Sequence, residues 1–333
     1  MPRTEFISTG HYVPERVLTN DDLKQWWDTS DEWIRERTGI EKRHWVDFDN
    51  VQGGSDLAYE ASRIALDRAG MKASEIDCIV YATLSPDVFF PGGGVYLQRK
   101  LGIPGVPAID IRNQCTGFLY GLSVADGWIR MGQYRRVLLV GAEVHSTGMD
   151  FGLNGRDLGV LFGDGAGAAI LGPTDHPDRG VLSSHLYADG EGAELLWCES
   201  DSSARFPRIS HEDLDAGRQY PVMNGRQVFK NAVTRMPESV RTALDANGLT
   251  TDDIDLLVAH QANLRINQMV GAELGLGEDK VYNNIQRFGN TTAATIPIAL
   301  DECVQQGRLN RGDLLMMTAF GSGFTWGSCA VRW

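Results

Sequence analysis

Long runs of apolar residues mark the inner elements of this chain. Residues 76–83, 137–142 and 254–259 are almost wholly apolar, the pattern of strands covered on both faces of a sheet. Helical spacing appears at 56–69 (Leu57, Ala61, Ile64, Ala65, Leu66, ended by Gly70), 96–101, 225–246, 264–274 and 292–304, the last with Pro297 in its first turns. From 116 to 131 the residues Phe118, Leu119, Leu122, Val124, Ala125, Trp128 and Ile129 run around nearly the whole helical circumference, which predicts a buried helix. Further strands are expected at 6–10 (broken by Gly10 and Pro14), 107–112, 161–171, 181–188, 314–320 and 325–331. Thr19 to Asp22 reads as a helix cap, and 29–40 as a short helix stopped at glycine. Residues 190–221 are polar and irregular, a surface loop or flap.

The segments Glu75-Ile76-Asp77-Cys78-Ile79-Val80 and Asp253-Ile254-Asp255-Leu256-Leu257-Val258 each follow an amphipathic helix and a short polar linker. That recurrence, once per half, predicts an internal duplication.

Composition narrows the function classes. The chain has 333 residues and a formal charge of −13, with 44 acidic against 31 basic residues. So acidic a protein has no general attraction for nucleic acid or an anionic membrane, and any anionic partner must meet a local basic patch. Five scattered cysteines without a CxxC pair, and seven dispersed histidines, speak against a disulfide framework and a zinc site. No run approaches the roughly 20 apolar residues a bilayer span needs, and residues 1–6 lack a basic start followed by an apolar core. A soluble, cytoplasmic protein is expected.

Four places combine chemistry with a suggestive position. Cys115 falls where a strand runs into the buried helix, and the helix dipole there predicts a thiolate; the alternative is an inert core thiol. His260 directly follows the buried strand ending at Ala259, where open α/β sheets place ligands, or it is a strand-end histidine satisfied by hydrogen bonds. Asn290 lies in a glycine turn opening a helix, as a functional amide or a plain cap. The stretch Ala319-Phe320-Gly321-Ser322-Gly323-Phe324-Thr325 is either a tight turn or a place where backbone N–H groups approach a reacting carbonyl. On 29–40, Trp33 and Arg37 read as a solvated helix or as a stacking and phosphate pair. The glycines 163, 165 and 167 superficially suggest a dinucleotide fingerprint, but a short apolar strand follows them and not a helix, so that reading is rejected.

Thr29-Ser-Asp-Glu-Trp-Ile, Cys115-Thr-Gly-Phe, Phe162-Gly-Asp-Gly-Ala-Gly, His260-Gln-Ala-Asn-Leu-Arg, Gly289-Asn-Thr-Thr-Ala-Ala and Ala319-Phe-Gly-Ser-Gly-Phe-Thr-Trp-Gly-Ser occur in order along the chain. In these motifs, and along essentially its whole length, the sequence resembles β-ketoacyl-acyl-carrier-protein synthase III, a condensing enzyme of the thiolase superfamily. The resemblance implies an α/β, thiolase-like five-layered αβαβα sandwich built from two duplicated halves. Residues 1–174 would carry the nucleophile, and 175–333 the histidine and asparagine. It implies an acyltransferase that starts fatty acid synthesis by decarboxylative Claisen condensation of an acyl-CoA primer with malonyl-acyl carrier protein. Cys115 would hold the acyl group, His260 and Asn290 would steady the enolate, and the backbone N–H groups of Cys115 and Ser322 would form the oxyanion hole.

By the same resemblance Trp33, Arg37 and Arg156 would hold the adenine and phosphates of CoA. Gly225, Phe229, Ala262, Asn263 and Ile266 would line the pantetheine channel. Arg265, with Arg226 and Lys230, would meet the acidic carrier protein, and Phe90 would wall the acyl pocket across a homodimer. No metal and no cofactor is implied beyond the CoA thioester substrate. Two departures from the usual family pattern stand out: Arg112-Asn113-Gln114 before the nucleophile, and the glycine run 92–94, which predicts room for a primer longer than acetyl. The alternative is a ketosynthase of specialised metabolism, of polyketide or quinolone type, with a longer primer or a different second substrate. Phe90 argues against head-to-head acyl-CoA condensing relatives, which supply a glutamate from that loop. The intact Cys115, His260 and Asn290 argue against a degenerate partner subunit.

Overall fold

Two five-stranded mixed sheets dominate the computed structural model, which describes residues 2–152 and 154–333. The first contains β1 (Arg3–Tyr12), β2 (Cys78–Ala82), β3 (Ala108–Ile111), β4 (Val137–Glu143) and β5 (Gly165–Thr174), in the order β1-β5-β4-β2-β3. The second contains β6 (Gly180–Ala188), β7 (Leu256–Ala259), β8 (Val281–Tyr282), β9 (Leu314–Gly321) and β10 (Thr325–Arg332), in the order β6-β10-β9-β7-β8. Each strand of the second sheet therefore stands where the strand five places earlier stands in the first. Directions repeat too: β2 is parallel to β3 and β4 as β7 is to β8 and β9, and the remaining pairs are antiparallel in both sheets. The expected duplication is present.

Six helices fill the layers, α2 (Gly54–Ala69), α3 (Gly93–Leu101), α4 (Gly117–Arg130), α5 (Gly225–Asp245), α6 (Leu264–Glu273) and α7 (Thr295–Gln305), while α1 (Asp31–Thr38) packs beside them through Ile34. The alternation of side chains along each strand shows which layer faces which. Ile79 and Tyr81 of β2, with Leu138 and Val140 of β4, pack against α2 and α3. Val80 and Leu139, from the opposite face, pack with Phe118, Leu122 and Ile129 of α4 and with Ile296, Ala299 and Leu300 of α7. Leu256 and Val258 of β7 join that same cluster, while Leu257 and Ala259 turn outward to α5 and α6. The layers thus run α2/α3, sheet, α4/α7, sheet, α5/α6. Strands buried on both faces account for the unbroken apolar runs.

Several expected boundaries move, each for a local reason. β1 continues through Gly10 to Tyr12, because β5 pairs with it along its whole length. The helix expected from 96 starts at Gly93, because the Asp110 carboxylate accepts hydrogen bonds from the N–H groups of Gly93 (2.5 Å) and Gly94 (2.9 Å). The structure gives the 92–94 run a packing role of its own beside the expected room for a longer primer. A Cβ at Gly92 would lie 2.3 Å from Asp110 Cγ, and one at Gly93 2.6 Å from the Tyr81 ring. The glycines let the helix end close onto those two side chains. Residues 190–221 also hold more order than a polar loop: Leu196–Trp197 pairs with Val222–Met223, and Arg205 and Arg218 both reach Asp213 at 2.7 Å.

One buried charge ties the elements together. Asp301 on α7 accepts from Thr9 Oγ1 (2.7 Å) and Arg68 (2.5 Å) and lies 2.6 Å from His11 Nδ1. Burial would raise its carboxyl, but His11, Thr9 and Arg68 together hold it below the usual carboxylate value.

Candidate active site

β3 delivers Cys115 into the middle layer. The chain leaves the strand through Gln114, in left-handed backbone at φ 43°, makes a single tight turn over Gln114–Thr116, and enters α4 at Gly117. Thr116 pins the turn: its Oγ1 lies 2.8 Å from both the Asn113 carbonyl and Thr325 Oγ1. The backbone at Gly321 lies flush against the nucleophile, where a Cβ would stand 2.7 Å from Cys115 Cβ and 3.1 Å from Sγ. Glycine is required there by close approach.

Burial pushes the Cys115 thiol up to about 12, and the Glu143 carboxylate adds to it, while the N–H groups of Cys115 and Ser322 pull the other way. Burial therefore opposes the expected resting thiolate. A rise from 9.0 to about 12 corresponds to about 4 kcal/mol, against the roughly 1 to 2 kcal/mol a helix terminus offers an anion. Desolvation wins. The same two N–H groups both act on the sulfur.

β9 links the nucleophile to the histidine. Gly321, at its end, abuts Cys115, and three residues back the Thr318 carbonyl accepts from His260 N (2.8 Å). Three residues of strand span about 10 Å. His260 is 2 % exposed; its Nδ1 lies 2.6 Å from Thr295 Oγ1, and its Nε2 is buried without a partner. Burial pushes the imidazole down to about 3, so it is neutral at any ordinary pH.

Asn290, 6 % exposed, is held by its backbone between Leu161 (N donating to Leu161 O, 2.8 Å) and Gly163 (O accepting from Gly163 N, 3.1 Å). Its side-chain Oδ1 accepts from Thr292 N at 2.9 Å. That contact fixes the amide orientation, and Nδ2 makes no hydrogen bond to a described residue. Cys115 itself is 9 % exposed. The Cys115 turn and the Thr292–Ala294 turn abut, a Cβ on Gly117 standing 3.5 Å from Ala293 Cβ, so a buried thiol and the Asn290 turn share the middle layer with the His260 imidazole at the end of β7.

Both helix starts are built alike. Thr292 (φ 48°) opens a tight turn over Thr292–Ala294, followed by α7 at Thr295, as Gln114 does before α4. These are the non-glycine residues in left-handed backbone among those described, and they occupy equivalent places in the two halves. Ala293 is the counterpart of Cys115.

Three site residues carried no signal in the sequence. Glu143, fully buried at the end of β4, accepts from Thr83, Leu84, Ser85 and Ala293 N, so it braces the Asn290 turn; burial raises its carboxyl to about 7. His145 Nε2 lies 2.7 Å from Thr292 Oγ1, and burial lowers that ring to about 4. Thr295 contacts His260. Each is identifiable only once a partner distant in the chain is in place.

The residues expected to bind CoA are partly assembled. Arg37 and Arg156 place their guanidinium groups 4.6 and 4.7 Å from the Trp33 ring centroid. Asn263 caps α6, accepting from Arg265 N, and donates through Nδ2 to the Arg37 carbonyl (2.9 Å). Arg265 lies 5.9 Å over the Phe229 ring. Gly225, Arg226 and Lys230 are exposed on the first turns of α5, Ala262 is half-buried, and Ile266 belongs to the core under α5 and α6. Phe90 is not brought to Cys115 within the chain: it is 78 % exposed and meets Phe89 edge-on. Among the described residues no group of three or more His, Cys, Asp or Glu could hold a metal ion, and no helix is long and apolar enough to cross a membrane.

The family models and the curated relatives agree with one another. Residues 109–190 match the family described as 3-oxoacyl-[acyl-carrier-protein (ACP)] synthase III, and residues 244–333 match its C-terminal part. The chain is 48% identical over 330 residues to a β-ketoacyl-[acyl-carrier-protein] synthase III of Xanthomonas campestris pv. campestris, covering 99% of this chain and 98% of the relative. The crystal structure of 3-oxoacyl-[acyl-carrier-protein] synthase III from Aquifex aeolicus superposes with a TM-score of 0.90 at 39% identity, covering 99% of this chain and 100% of that one. The priming β-ketosynthase of the R1128 polyketide pathway superposes equally well (TM-score 0.90) at 34% identity, over 99% and 96% of the two chains.

Proposed function

The chain belongs to the β-ketoacyl-[acyl-carrier-protein] synthase III family, and from that premise we propose how its own residues carry the reaction. The enzyme is an acyltransferase that joins an acyl-CoA primer to malonyl-acyl carrier protein, releasing carbon dioxide and giving the β-ketoacyl-acyl carrier protein that starts fatty acid synthesis. In the first step the Cys115 sulfur attacks the primer thioester. A new C–S bond forms, the C–S bond to CoA breaks, and the thiol proton leaves on CoA-SH. The tetrahedral oxyanion rests on the N–H groups of Cys115 and Ser322.

In the second step malonyl-acyl carrier protein loses carbon dioxide. The electron pair passes to its thioester oxygen, where His260 Nε2–H and Asn290 Nδ2 donate. The enolate carbon then attacks the acyl carbonyl, forming the C–C bond and expelling the Cys115 sulfur, which takes a proton from solvent. Neutral donors suit this chemistry, since a carboxylate at 290 would repel the enolate and an imidazole held near 3 cannot drift into a charged form.

Trp33 with Arg37 and Arg156 receives the nucleotide end of CoA, and Gly225, Phe229, Ala262, Asn263 and Ile266 line the pantetheine path. Arg265, Arg226 and Lys230 form a basic mouth for an acidic carrier protein on an otherwise acidic molecule. A homodimer is supported by the unpaired edge of β3 and by exposed Val88, Phe89, Phe90 and Val95 beside it. In it Phe90 would reach the acyl pocket of the second copy. The two halves, 1–174 and 175–333, divide the chemistry, and a cytoplasmic location fits a protein that takes CoA thioesters.

The observation that carries this reading is a buried thiol at the start of α4 facing, from the other half, an imidazole whose Nε2 is buried without a partner and an amide whose oxygen is already occupied. Cys115→Ala should abolish condensation with purified carrier protein. His260→Ala and Asn290→Ala should slow malonyl decarboxylation about a hundredfold or more while Cys115 still accepts an acyl group. Turnover surviving in Cys115→Ala, or lost acylation with normal decarboxylation in the other two, overturns the assignment. The polyketide priming ketosynthase keeps a specialised pathway in view. Acylation of Cys115 by acyl-CoAs of increasing chain length separates the two: preference for short primers supports the first.

A further inference from the structure

His260 enters the site with one ring nitrogen occupied and the other bare. A neutral imidazole carries one N–H, and whichever nitrogen holds it decides whether Nε2 donates or accepts. We propose that the Thr295 hydroxyl donates its hydrogen to His260 Nδ1 and thereby fixes the Nε2–H tautomer. Thr295 is then the positioning residue that makes His260 a hydrogen-bond donor to the enolate oxygen. The inference rests on the role given to His260 above.

Thr295 Oγ1 has two acceptors in reach, His260 Nδ1 at 2.6 Å and the Thr292 carbonyl at 2.9 Å, and only one hydrogen to give. The Thr292 carbonyl already accepts the backbone N–H of Thr295 as the turn closes into α7. It has no unmet need. His260 Nδ1 has no other partner among the described residues, and the contact is shorter.

The reverse arrangement, with Nδ1–H donating to Thr295 and the hydroxyl turned to Thr292, would present the lone pair of Nε2 to the site. Two lone pairs would then face each other as negative charge grows on the thioester oxygen. The protonated ring, with both nitrogens donating, is closed off by burial that holds the imidazole near 3. With Thr295 donating, Nε2–H waits buried without a partner, which is what a donor preorganised for a transient charge looks like in the free enzyme.

The position of Thr295 holds its hydroxyl beside His260. It is 2 % exposed on the first residue of α7, and its branched side chain has few rotamers open to it there. The left-handed Thr292 just before it is braced by His145 and by Asn290 itself. One turn of backbone thus sets the orientation of both donors: Asn290 through Thr292 N–H and His260 through the Thr295 hydroxyl.

The test compares Thr295→Val, which keeps the shape but removes the hydroxyl, with Thr295→Ser, which keeps the hydroxyl. In protein labelled with 15N-histidine, the His260 signals, assigned by their loss in His260→Ala, should show Nε2 protonated and Nδ1 bare. Thr295→Val should lose that preference and slow malonyl decarboxylation about a hundredfold. Cys115 acylation by acyl-CoA should stay within about twofold, and Thr295→Ser should restore both signals and rate. An Nδ1–H tautomer in the unaltered enzyme overturns the proposal even if Thr295→Val does not fold. So does full decarboxylation in Thr295→Val. Normal decarboxylation in His260→Ala would instead overturn the underlying role of His260, so the two failures are distinguishable.

Discussion

A thiol held near 12 in a site built to form thioesters has a measurable signature. Below that value the thiolate fraction grows about tenfold for each pH unit. Alkylation of Cys115 by iodoacetamide should therefore climb steeply from pH 7 to 9.5 without levelling, and a plateau at neutral pH would show that the helix terminus wins after all. Glu143, near 7, should add a shallow inflection there: as pH falls and it takes up a proton, the charge opposing the thiolate is lost. Glu143→Gln should remove that inflection. At this scale the residue types at 115, 260 and 290 stood out from the sequence because each sits at the end of a recognisable element. The ionisation state of Cys115 did not, because it depends on Glu143 and on burial by β9, contributed from distant parts of the chain.

Among elements, helix interiors and buried strands could be read from periodicity, whereas helix starts set by tertiary contact could not. α3 begins three residues before its apolar pattern does because Asp110, on β3, caps it. Gly93→Ala should cost roughly 1–3 kcal/mol through the contact with Tyr81, seen as a lowered unfolding midpoint, with no change in the preferred primer length. A shifted chain-length profile in a stably folded variant would instead return those glycines to the acyl pocket. The Asp301 cluster, joining β1, α2 and α7, is a second contact no local pattern announces. Asp301→Asn should destabilise the fold by roughly 2 kcal/mol in urea unfolding, the Arg68 partner being one-third exposed. Asp301 is depressed in the folded state, so its contribution is present above the ordinary carboxylate value and is lost as pH falls below it. The difference between the two proteins should shrink accordingly in acid.

At the scale of the whole molecule, the recurrence of helix, linker and strand foretold two matching sheets, and their strand orders coincide position by position. What no repeat could foretell is how the sheets face each other, since that is decided by α4 and α7 sharing one apolar layer. The outer edge at β3 belongs to this scale as well. Sedimentation should give a dimer at micromolar concentration, and Phe89→Asp with Phe90→Asp should shift it toward monomer with loss of acyl transfer. An unaltered dimer in that variant would place the contact elsewhere.

The twin left-handed turns have a consequence beyond geometry. They are mirror posts of one gate, yet only one post bears sulfur; its opposite bears Ala293, whose amide hydrogen is given to Glu143. On the proposed reading, the capturing sulfur and the charge-quenching side chains are lodged in separate repeats of the same design. A lesion at His260 or Asn290 should leave an enzyme stalled halfway, loaded but unable to extend its cargo, whereas a lesion at Cys115 should leave it unloaded.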